Sequence, residues 1–494
     1  MIHASLPKIG RKLLLLVAAP MACGAEASHA ANAYYGANVG AQNFMTANWV
    51  DNANAPVAVP GSGDLPYINS VNGVTDYPYI DSAVAVQRFL IGELTASQGG
   101  LELRSGANLT TSATGAHYVG ARGTGLLRIL PGSTLNINGS LQVGWGDATG
   151  RGTGTVTQTG GAYNGTSAST GVTLGVSAVS GSFVTPSNGT YNLSGGTMDF
   201  GGPLVVGLAG VGAFNMSGGS VTTSNYIQVG RTGTGTFVQT AGAVTAVRAA
   251  GDAMVIGALA GANGSYSISG GSLSITSLDG IGGVVNGAAT GDATALFKVI
   301  GSSPTINFNN NFVQNANATL AFDIGAGISP IAVTTNATLN GALGIKFTTT
   351  PSVGQQFTLM NYGGTLTGTF ASFDDIVDSP AGVNSVKLTL DYGAGAGSAI
   401  KVTVASLVAP AVPGDFNADG SVNALDLAAW KTNVPIAAGA TVAQGDADAD
   451  ADVDGVDFLI WQRNFTGSGI AAVPEPASLL LASIVGLAFI SRRR

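Results

Sequence analysis

The sequence has little charge, a single cysteine and few histidines. Charged residues make up 9% of the 494 positions, against about 25% in an average globular domain. Glutamate and lysine normally fill the solvent faces of helices, so their scarcity argues against a helical body. The cysteine is Cys23, and two of the three histidines, His3 and His29, lie in the N-terminal segment 1–30. Disulfide bonds within the chain and a multi-histidine metal site are therefore excluded.

The residues that are abundant favour short strands joined by tight turns. Glycine occupies 74 positions and hydrophobic residues make up 45% of the chain, which excludes a disordered polyelectrolyte. Much of the remainder is serine, threonine and asparagine, which are typical of strands and turns. Without disulfides, such a fold must be stabilised by packing, hydrogen bonds or metal.

The net charge of −8 is distributed unevenly along the chain. Residues 414–465 hold nine aspartates but only two basic residues, Lys431 and Arg463. Because the sequence contains no basic patch or stripe, a nucleic-acid partner is excluded. The acidic block instead predicts a bound cation.

Residues 1–30 have the pattern of a signal peptide. Basic residues at positions 8–12 precede the apolar run Leu13–Ala19, and small residues follow. Cleavage is expected after Ala30 or Ala33. An N-terminal membrane anchor is the alternative, but the apolar run is too short to span a bilayer. A lipoprotein site at Cys23 would lack the aliphatic residue that such a site requires three positions earlier.

The C-terminal segment, residues 473–494, reads VPEPASLLLASIVGLAFISRRR. The 14 apolar or small residues from Ala477 to Ile490 would form a helix of about 21 Å, which is short against roughly 30 Å of bilayer hydrocarbon. The Pro-Glu-Pro motif, the short transmembrane helix and the basic end resemble the PEP-CTERM sorting signal. This resemblance implies an exosortase-type sorting enzyme as partner, cleavage near Pro476, and a transient membrane anchor. An ordinary tail anchor is the alternative.

Residues 115–299 repeat a short pattern, with insertions between some copies. Each copy has a strand ending in an aliphatic residue and glycine, a glycine-rich turn, an alternating strand, and usually a Gly-Gly-like pair. The unit of about 23 residues is the length of one solenoid coil, and stacked coils bury a continuous core. We therefore expect a mainly β fold with a right-handed parallel β-helix body; a β-sandwich or another solenoid is the alternative. The repeats resemble the autotransporter-associated β-strand repeats of bacterial surface proteins. The repeated glycines are Gly120, Gly144, Gly175, Gly207, Gly230 and Gly257.

The segments that flank the repeats are expected to close the solenoid. Residues 300–408 contain longer strands and more phenylalanine, which predicts a C-terminal β domain or cap. Residues 31–114 are expected to cap the other end, because an uncovered terminal coil would expose a sheet edge and core. Residues 409–413 and 467–472 are predicted linkers.

The body offers little material for catalysis. His117 has no nucleophile motif near it and is expected to be a surface or turn-proximal side chain. A polysaccharide hydrolase or lyase would need two or three acids clustered on adjacent coils, and we expect the scattered aspartates to be solvated turn residues. Catalysis is therefore not expected. The aspartates considered are Asp147, Asp199, Asp252, Asp279 and Asp292 in the repeats, and Asp374, Asp375 and Asp378 in a loop-like part of the cap.

The strongest signal is a duplicated acidic loop. DFNADGSVNALD (Asp415–Asp426) and DADADADVDGVD (Asp446–Asp457) align at an offset of 31, and each runs into an apolar helix. Oxygen donors at loop positions 1, 3, 5, 7, 9 and 12 are the arrangement that binds Ca²⁺; an acidic low-complexity linker is the alternative. The candidate ligands are Asp415, Asn417, Asp419, the Ser421 carbonyl, Asn423 and Asp426 in the first loop, and Asp446, Asp448, Asp450, the Asp452 carbonyl, Asp454 and Asp457 in the second.

These paired loop-helix units, residues 414–466, resemble a type I dockerin. The resemblance implies a small α-helical calcium domain with a pseudo-twofold axis, and a cohesin-like partner. The sixth loop position is Gly420 in the first loop but Ala451 in the second, where the turn prefers glycine. Positions 10 and 11 hold Ala424-Leu425 and Gly455-Val456 instead of the usual hydroxyl pair. Calcium is therefore favoured over standard cohesin binding.

The sequence as a whole predicts an exported bacterial cell-surface or extracellular-matrix β-solenoid protein without catalytic activity. It would carry a calcium-binding dockerin-like module and be sorted through its C-terminal signal. The alternatives are a polysaccharide-active enzyme, or a body that binds surface polysaccharide or another extended ligand such as ice, tethered through the dockerin. A flat threonine or aromatic ladder along one outer face would favour binding.

Overall fold

The computed structural model describes residues 34–35, 43–45, 49–50, 56–57, 59–68, 78–93, 95, 97–177, 186–378, 385–408 and 412–466. The predicted signal peptide, the linker 467–472 and the sorting signal with its helix lie outside these residues. By its contacts the chain separates into two compact units. The first comprises Met1–Ala381 with Val386–Leu407, and the second comprises Gly382–Ser385 with Val408–Arg494.

The first unit is built on three long sheets, here named A, B and C, to which each successive coil adds one strand in that order. Sheet A contains Tyr67–Ile68, Leu90–Ile91, His117–Ala121, Leu141–Gly146, Val172–Ser177, Leu204–Val206, Ile227–Val229, Met254–Ile256, Gly283–Asn286, Asn311–Gln314, Ala337–Leu339 and Leu366–Gly368. Sheet B contains Tyr79–Ile80, Gln98–Leu103, Thr124–Ile129, Thr153–Gln158, Asn188–Leu193, Val211–Met216, Thr234–Gln239, Asn263–Ile268, Thr294–Ile300, Ala318–Ile324, Ala342–Phe347 and Ser372–Phe373.

Sheet C has 14 strands and closes the C-terminal end of the body. Its members, in spatial order, are Ala83–Val86, Asn108–Thr111, Thr134–Ile137, Ala162–Gly165, Thr197–Phe200, Ser220–Thr223, Ala243–Arg248, Ser272–Ser277, Thr305–Phe308, Ile331–Val333, Gln356–Tyr362, Ala399–Val408, Ser385–Asp391 and Ile376–Asp378. A separate antiparallel sheet is formed by Tyr34–Tyr35, Trp49–Val50 and Pro56–Val57.

Successive coils pair in parallel and in register, which confirms the predicted parallel solenoid and makes the β-sandwich alternative wrong. In sheet B, for example, Val211–Met216 pairs residue for residue with Thr234–Gln239. The burial of these strands alternates, with one side chain buried and the next more exposed, as expected for a sheet with one face in a core. The right-handed sense of the coil stays a prediction.

Glycine is required at the corners between strands. Gly207 has φ of 79°, and a Cβ there would collide with the Thr234 carbonyl of the next coil. Gly219, the second glycine of a Gly-Gly pair, has φ of 75°, and its Cβ would lie 2.6 Å from the Gly196 carbonyl. Because both constraints act at once, other residues are disfavoured at these corners.

Inside the coils, aromatic rings stack from one coil to the next. Phe237 lies between Phe214 and Tyr266, with ring centroids 4.6 Å apart on both sides. The Tyr266 hydroxyl donates to Gln239 Oε1 at 2.6 Å, and Gln239 Nε2 donates to the Ser272 carbonyl at 3.0 Å. The ring stack is therefore apolar, and the Tyr266 hydroxyl at its edge is paired at a corner.

Both predicted boundaries of the body need correction. Parallel coils begin at Tyr67–Ile68, well before residue 115, and continue to Ser372–Phe373, well beyond residue 299. The phenylalanines after residue 300 do not mark a separate domain, because Phe308, Phe312, Phe322 and Phe347 are buried in the same core. The regular parallel stacking ends where Ala399–Val408 pairs antiparallel to Gln356–Tyr362.

His117 is a core residue, which corrects the expectation of a surface or turn-proximal side chain. It is fully buried and stacks on Phe89 with ring centroids 5.0 Å apart. Its Nε2 lies 3.1 Å from Thr111 Oγ1 and 3.2 Å from the Asn138 carbonyl, while Nδ1 is buried without a hydrogen-bond partner. Burial lowers the pKa of His117 to about 4.

Several body aspartates serve the turns in which the sequence places them. Asp279 accepts hydrogen bonds from the amides of Gly251, Ile281 and Gly282 at 2.6 to 2.9 Å, and these bonds lower its pKa. Asp147, Asp252 and Asp292 also accept turn amides. Two assignments need correction, because Asp199 lies within strand Thr197–Phe200 and Asp378 ends strand Ile376–Asp378. Asp374 and Asp375 are exposed.

The second unit contains helices α1 (Ala424–Asn433) and α2 (Gly455–Asn464), with a short 3-10 helix at Val442–Gln444. Its core is a cluster of three buried side chains, Phe416, Val422 and Trp461. Across the described part of the chain, neither these helices nor any other reaches the length and apolarity that crossing a membrane requires.

Candidate metal centre

Each helix of the second unit begins at the end of an acidic loop, and two loop residues form its cap. Asn423 Oδ1 accepts the amide of Leu425 at 2.8 Å, while Asp426 Oδ2 accepts the amide of Asn423 at 2.8 Å. Asp454 and Asp457 repeat this capping box at α2. Loop positions 9 and 12 therefore fix the helix start as well as one side of the loop.

Aspartates at both ends of the first loop hold its backbone. Asp415 Oδ2 accepts the Gly420 amide at 2.8 Å, and Asp426 Oδ1 accepts the Phe416 amide at 2.8 Å. Asp415 and Asp426 are both buried, whereas Asn417, Asp419 and Ser421 are exposed.

The second loop repeats this arrangement at the same positions. Asp446 Oδ2 accepts the Ala451 amide at 3.0 Å, and Asp457 Oδ1 accepts the Ala447 amide at 2.7 Å. Asp446 and Asp457 are again the buried members. The duplication seen in the sequence is therefore a duplication of hydrogen bonds as well as of side chains.

The two loop-helix units are joined by a reciprocal pair of tryptophan hydrogen bonds. Trp430 Nε1 on α1 donates to the Asp454 carbonyl at 2.9 Å, and Trp461 Nε1 on α2 donates to the Asn423 carbonyl at 2.9 Å. Each tryptophan thus reaches the ninth position of the other loop. The exchange is the local pseudo-twofold symmetry that the dockerin resemblance implies.

The donor set fits a hard cation. In the second loop, one carboxylate oxygen from each of Asp446, Asp448 and Asp450 lies within 4.8 Å of the others, and Asp452, Asp454 and Asp457 form a second such group. Asp452 Oδ1 is buried without a hydrogen-bond partner. Oxygen-only donors with unspent acceptor capacity suit Ca²⁺. The first loop has three aspartates where the second has six, because Asn417, Ser421 and Asn423 stand in place of acids.

The pKa of two carboxylates in the second loop is raised by their surroundings. Loss of hydration raises the pKa of Asp448 and that of Asp452, and the neighbouring Asp450 carboxylate raises both further. A bound cation would remove this penalty, since it stabilises the charged form. The electrostatics therefore agree with the oxygen-rich geometry.

The turns of both loops require left-handed backbone. Gly420 has φ of 87° and Ala451 has φ of 71°, so Ala451 occupies the conformation expected of glycine. The fourth loop positions, Ala418 and Ala449, are also left-handed, with φ of 57° and 65°. Sequence reasoning missed these two, because alanine carries no signal for a left-handed turn.

The predicted ligand positions thus converge in two loops, although their roles as ligands stay a prediction. Positions 10 and 11 are at the surface: Leu425 is 64% exposed and Val456 is 48% exposed. Leu459, one turn further along α2, is 58% exposed. Both helices therefore have exposed apolar side chains near their N-terminal ends.

No curated protein and no solved structure is similar enough to this chain to count as a match. Residues 413–466 do match the family model of the dockerin type I domain. Dockerin domains bind calcium and belong to proteins that are generally extracellular or on the cell surface. Residues 413–466 accordingly form a dockerin-like module.

Proposed function

We propose that this protein is an exported, non-catalytic β-solenoid that works at the cell surface or in the extracellular matrix. Its dockerin-like module would bind two calcium ions, one in each loop. The observation that carries this proposal is the duplicated oxygen-rich loop, which is held by buried aspartates and caps the helix that follows it. The acidic groups of the second loop give it direct geometric support.

The first loop would hold its ion with Asp415, Asn417, Asp419, the Ser421 carbonyl, Asn423 and Asp426. The second would use the corresponding residues from Asp446 to Asp457. Each ion would neutralise the mutual repulsion of the acids, and its binding energy would become part of the folding energy of the module.

We further propose a cohesin-like protein partner with an apolar contact surface. Leu425 and Val456 stand where a hydroxyl pair is usual, and both are exposed. A partner that reads polar hydroxyls would lose those hydrogen bonds, whereas a partner with a hydrophobic patch would bury apolar area.

For export we propose the route suggested by the two ends of the sequence: removal of residues 1–30, recognition of residues 473–494 by an exosortase-type enzyme, and release near the Pro-Glu-Pro motif. Intact-mass measurement of the secreted or surface form tests this route. The measured mass should match a product whose first residue lies near Ala31. A product that retains Met1 would contradict this route.

Calorimetric titration of the full chain with calcium tests the metal proposal. Two sites are expected, with Asp426→Asn and Asp457→Asn each removing one of them. Asp292→Asn in the body is the matched control and should retain both. Binding of no calcium, or the same loss in the control, would refute the proposal.

A further inference from the structure

Charged side chains are scarce in the body, yet they are concentrated at its N-terminal end. Residues 152–378 contain two arginines, two lysines and eight aspartates, and no glutamate. Residues 88–151, a much shorter stretch, contain eight charged side chains: Glu93, Glu102, Asp147, Arg88, Arg104, Arg122, Arg128 and Arg151. The N-terminal coils therefore carry more charged side chains per residue than the later coils.

Aromatic rings accompany these charges on one side of the body. Tyr118 and Trp145 lie on neighbouring strands of sheet A and are half-buried, with ring centroids 5.4 Å apart. The guanidinium carbon of Arg122 lies 5.5 Å from the centre of the Trp145 ring. With Glu93 and Asp147, which contact Arg122, these residues form what is here named the aromatic–arginine patch.

Arg122 is fixed by several contacts at once. One terminal nitrogen lies 2.6 Å from Glu93 Oε1, and the other donates to Thr149 Oγ1 at 3.4 Å. Its Nε lies 3.8 Å from Asp147 Oδ2. The guanidinium and both carboxylates are therefore positioned before any ligand arrives, which reduces the entropy that binding must overcome.

The backbone at Arg122 is strained. With φ of 67°, it is the one non-glycine residue of the described solenoid body in the left-handed region. Such strain persists only where the surroundings enforce it, and it concentrates at sites that serve a function. Glycine fills the comparable left-handed corners elsewhere in the coils, for example at Gly207 and Gly257.

Later coils have no aromatic ring at the position that Tyr118 occupies in its own coil. The register continues the column of Tyr118 through Gln142, Thr173 and Val205, and then through residues such as Gln228, Val255 and Val285. These later coils stack just as regularly without rings or charges in the column. A ring at the position of Tyr118 is therefore not needed for later coils to stack in register.

We propose that the aromatic–arginine patch binds a neutral polysaccharide chain. The apolar face of a sugar ring would pack on Tyr118 and Trp145, while Glu93, Asp147 and Arg122 would exchange hydrogen bonds with its hydroxyl groups. Glu93 and Asp147 lie against the Arg122 guanidinium and would repel an anionic chain that approached it. This site belongs to the body and is independent of the calcium proposal.

Calorimetric titration of the calcium-loaded full chain with cellohexaose, laminarihexaose, mannohexaose and xylohexaose tests the inference, with hexagalacturonate as the acidic comparison. At least one neutral oligosaccharide should bind saturably. Trp145→Ala and Tyr118→Ala should each weaken that binding by about tenfold or more, as for a buried aromatic anchor. Thr245→Ala, on an outer face of a distant coil, is the matched control.

Arg122→Gly separates recognition from folding, because glycine accepts the left-handed backbone without strain. It should weaken binding while the thermal unfolding of the body is retained. Absence of binding to every neutral chain, binding of hexagalacturonate alone, or unchanged affinity in both aromatic variants would overturn the inference.

Discussion

The two units of this chain are stabilised in different ways. The solenoid body has one core cluster that runs through the coils, with fully buried residues from Ile91 to Val402. The described part of the dockerin-like unit has four buried hydrophobic side chains and nine aspartates. A core of that size cannot by itself offset the entropy of ordering a domain of roughly 50 residues, and the aspartates repel one another.

The comparison shows that the two units of one chain offset the entropy of folding in different ways. In the body, each coil covers the apolar face of the next, so stability grows with the number of coils. In the module, we propose that order depends on a calcium ion that only the folded loops can surround. Removing calcium should therefore produce a larger difference in stability between the two units than any other treatment.

The largest effect is expected on chelation of calcium. Excess EDTA should unfold residues 415–457 and both helices, while the body stays folded, because only the module couples binding to folding. Hydrogen exchange read by mass spectrometry resolves the two units within the full chain. Amides of α1 and α2 should lose their protection, and those of sheets A, B and C should keep it. Helices that stay protected in EDTA would show that the module folds without calcium.

Truncating a side chain in the core of the body should destabilise the body and leave the module unaffected. Phe237→Ala leaves a cavity between Phe214 and Tyr266, and an aromatic-to-alanine change in a core costs about 3 to 5 kcal/mol. The neighbouring Val238, which is not buried, is the control, and Val238→Ala should cost about 0.5 kcal/mol or less.

Chemical denaturation of each variant gives the free energies of unfolding, and calcium titration shows whether the module responds. We expect a large loss of body stability with calcium affinity unchanged. Equal costs at positions 237 and 238 would mean that the ring stack does not support the coil.

Much of this contrast could be predicted from sequence. The Val-Gly and Gly-Gly corners predicted the coils, because a positive φ leaves few alternatives to glycine. The regular offset between Asp415 and Asp446 predicted the loops, because metal ligation fixes oxygen positions tightly. In both cases a geometric requirement selects particular residue types.

Other features left a weaker signal or none. His117 and Val119 share a strand face by simple alternation, so the burial of His117 could have been read from its neighbour. The boundaries at residues 114 and 299 were wrong because coils with larger phenylalanines still stack in register. Nothing in the sequence around Arg122 marks its left-handed backbone, since arginine carries no signal for such a turn.

Acid should destabilise the N-terminal coils through His117. Its folded-state pKa of about 4 lies below the ordinary 6.5, so the unfolded chain binds the proton more readily. The contribution of neutral His117 to the free energy of unfolding is therefore complete above pH 6.5 and is lost as the pH falls towards 4. At about 1.4 kcal/mol for each pH unit, the loss is about 3 kcal/mol.

Denaturation of the full chain between pH 7 and pH 4, followed by hydrogen exchange in strands His117–Ala121 and Leu141–Gly146, measures this effect. His117→Gln does not titrate and should remove that part of the pH dependence, whatever its own cost at neutral pH. The same slope in the variant would show that other groups cause the acid sensitivity of the body.

The smallest effect concerns single alanines in the calcium loops, and it compares the loops with each other. Ala451 is held at φ of 71°, where an L-residue is strained, whereas Gly420 has φ of 87° at no such cost. With about 1 kcal/mol for that strain, Ala451→Gly should tighten the second site about fivefold. Gly420→Ala should weaken the first site by a similar factor. The space around Gly420 is open, with no atom within 4 Å of a Cβ there, so the change tests backbone strain without a steric clash. Amide resonances of residues 420 and 451, followed during calcium titration, report each loop separately, and unchanged affinities in both variants would show that the turn is not strained when the ion is bound.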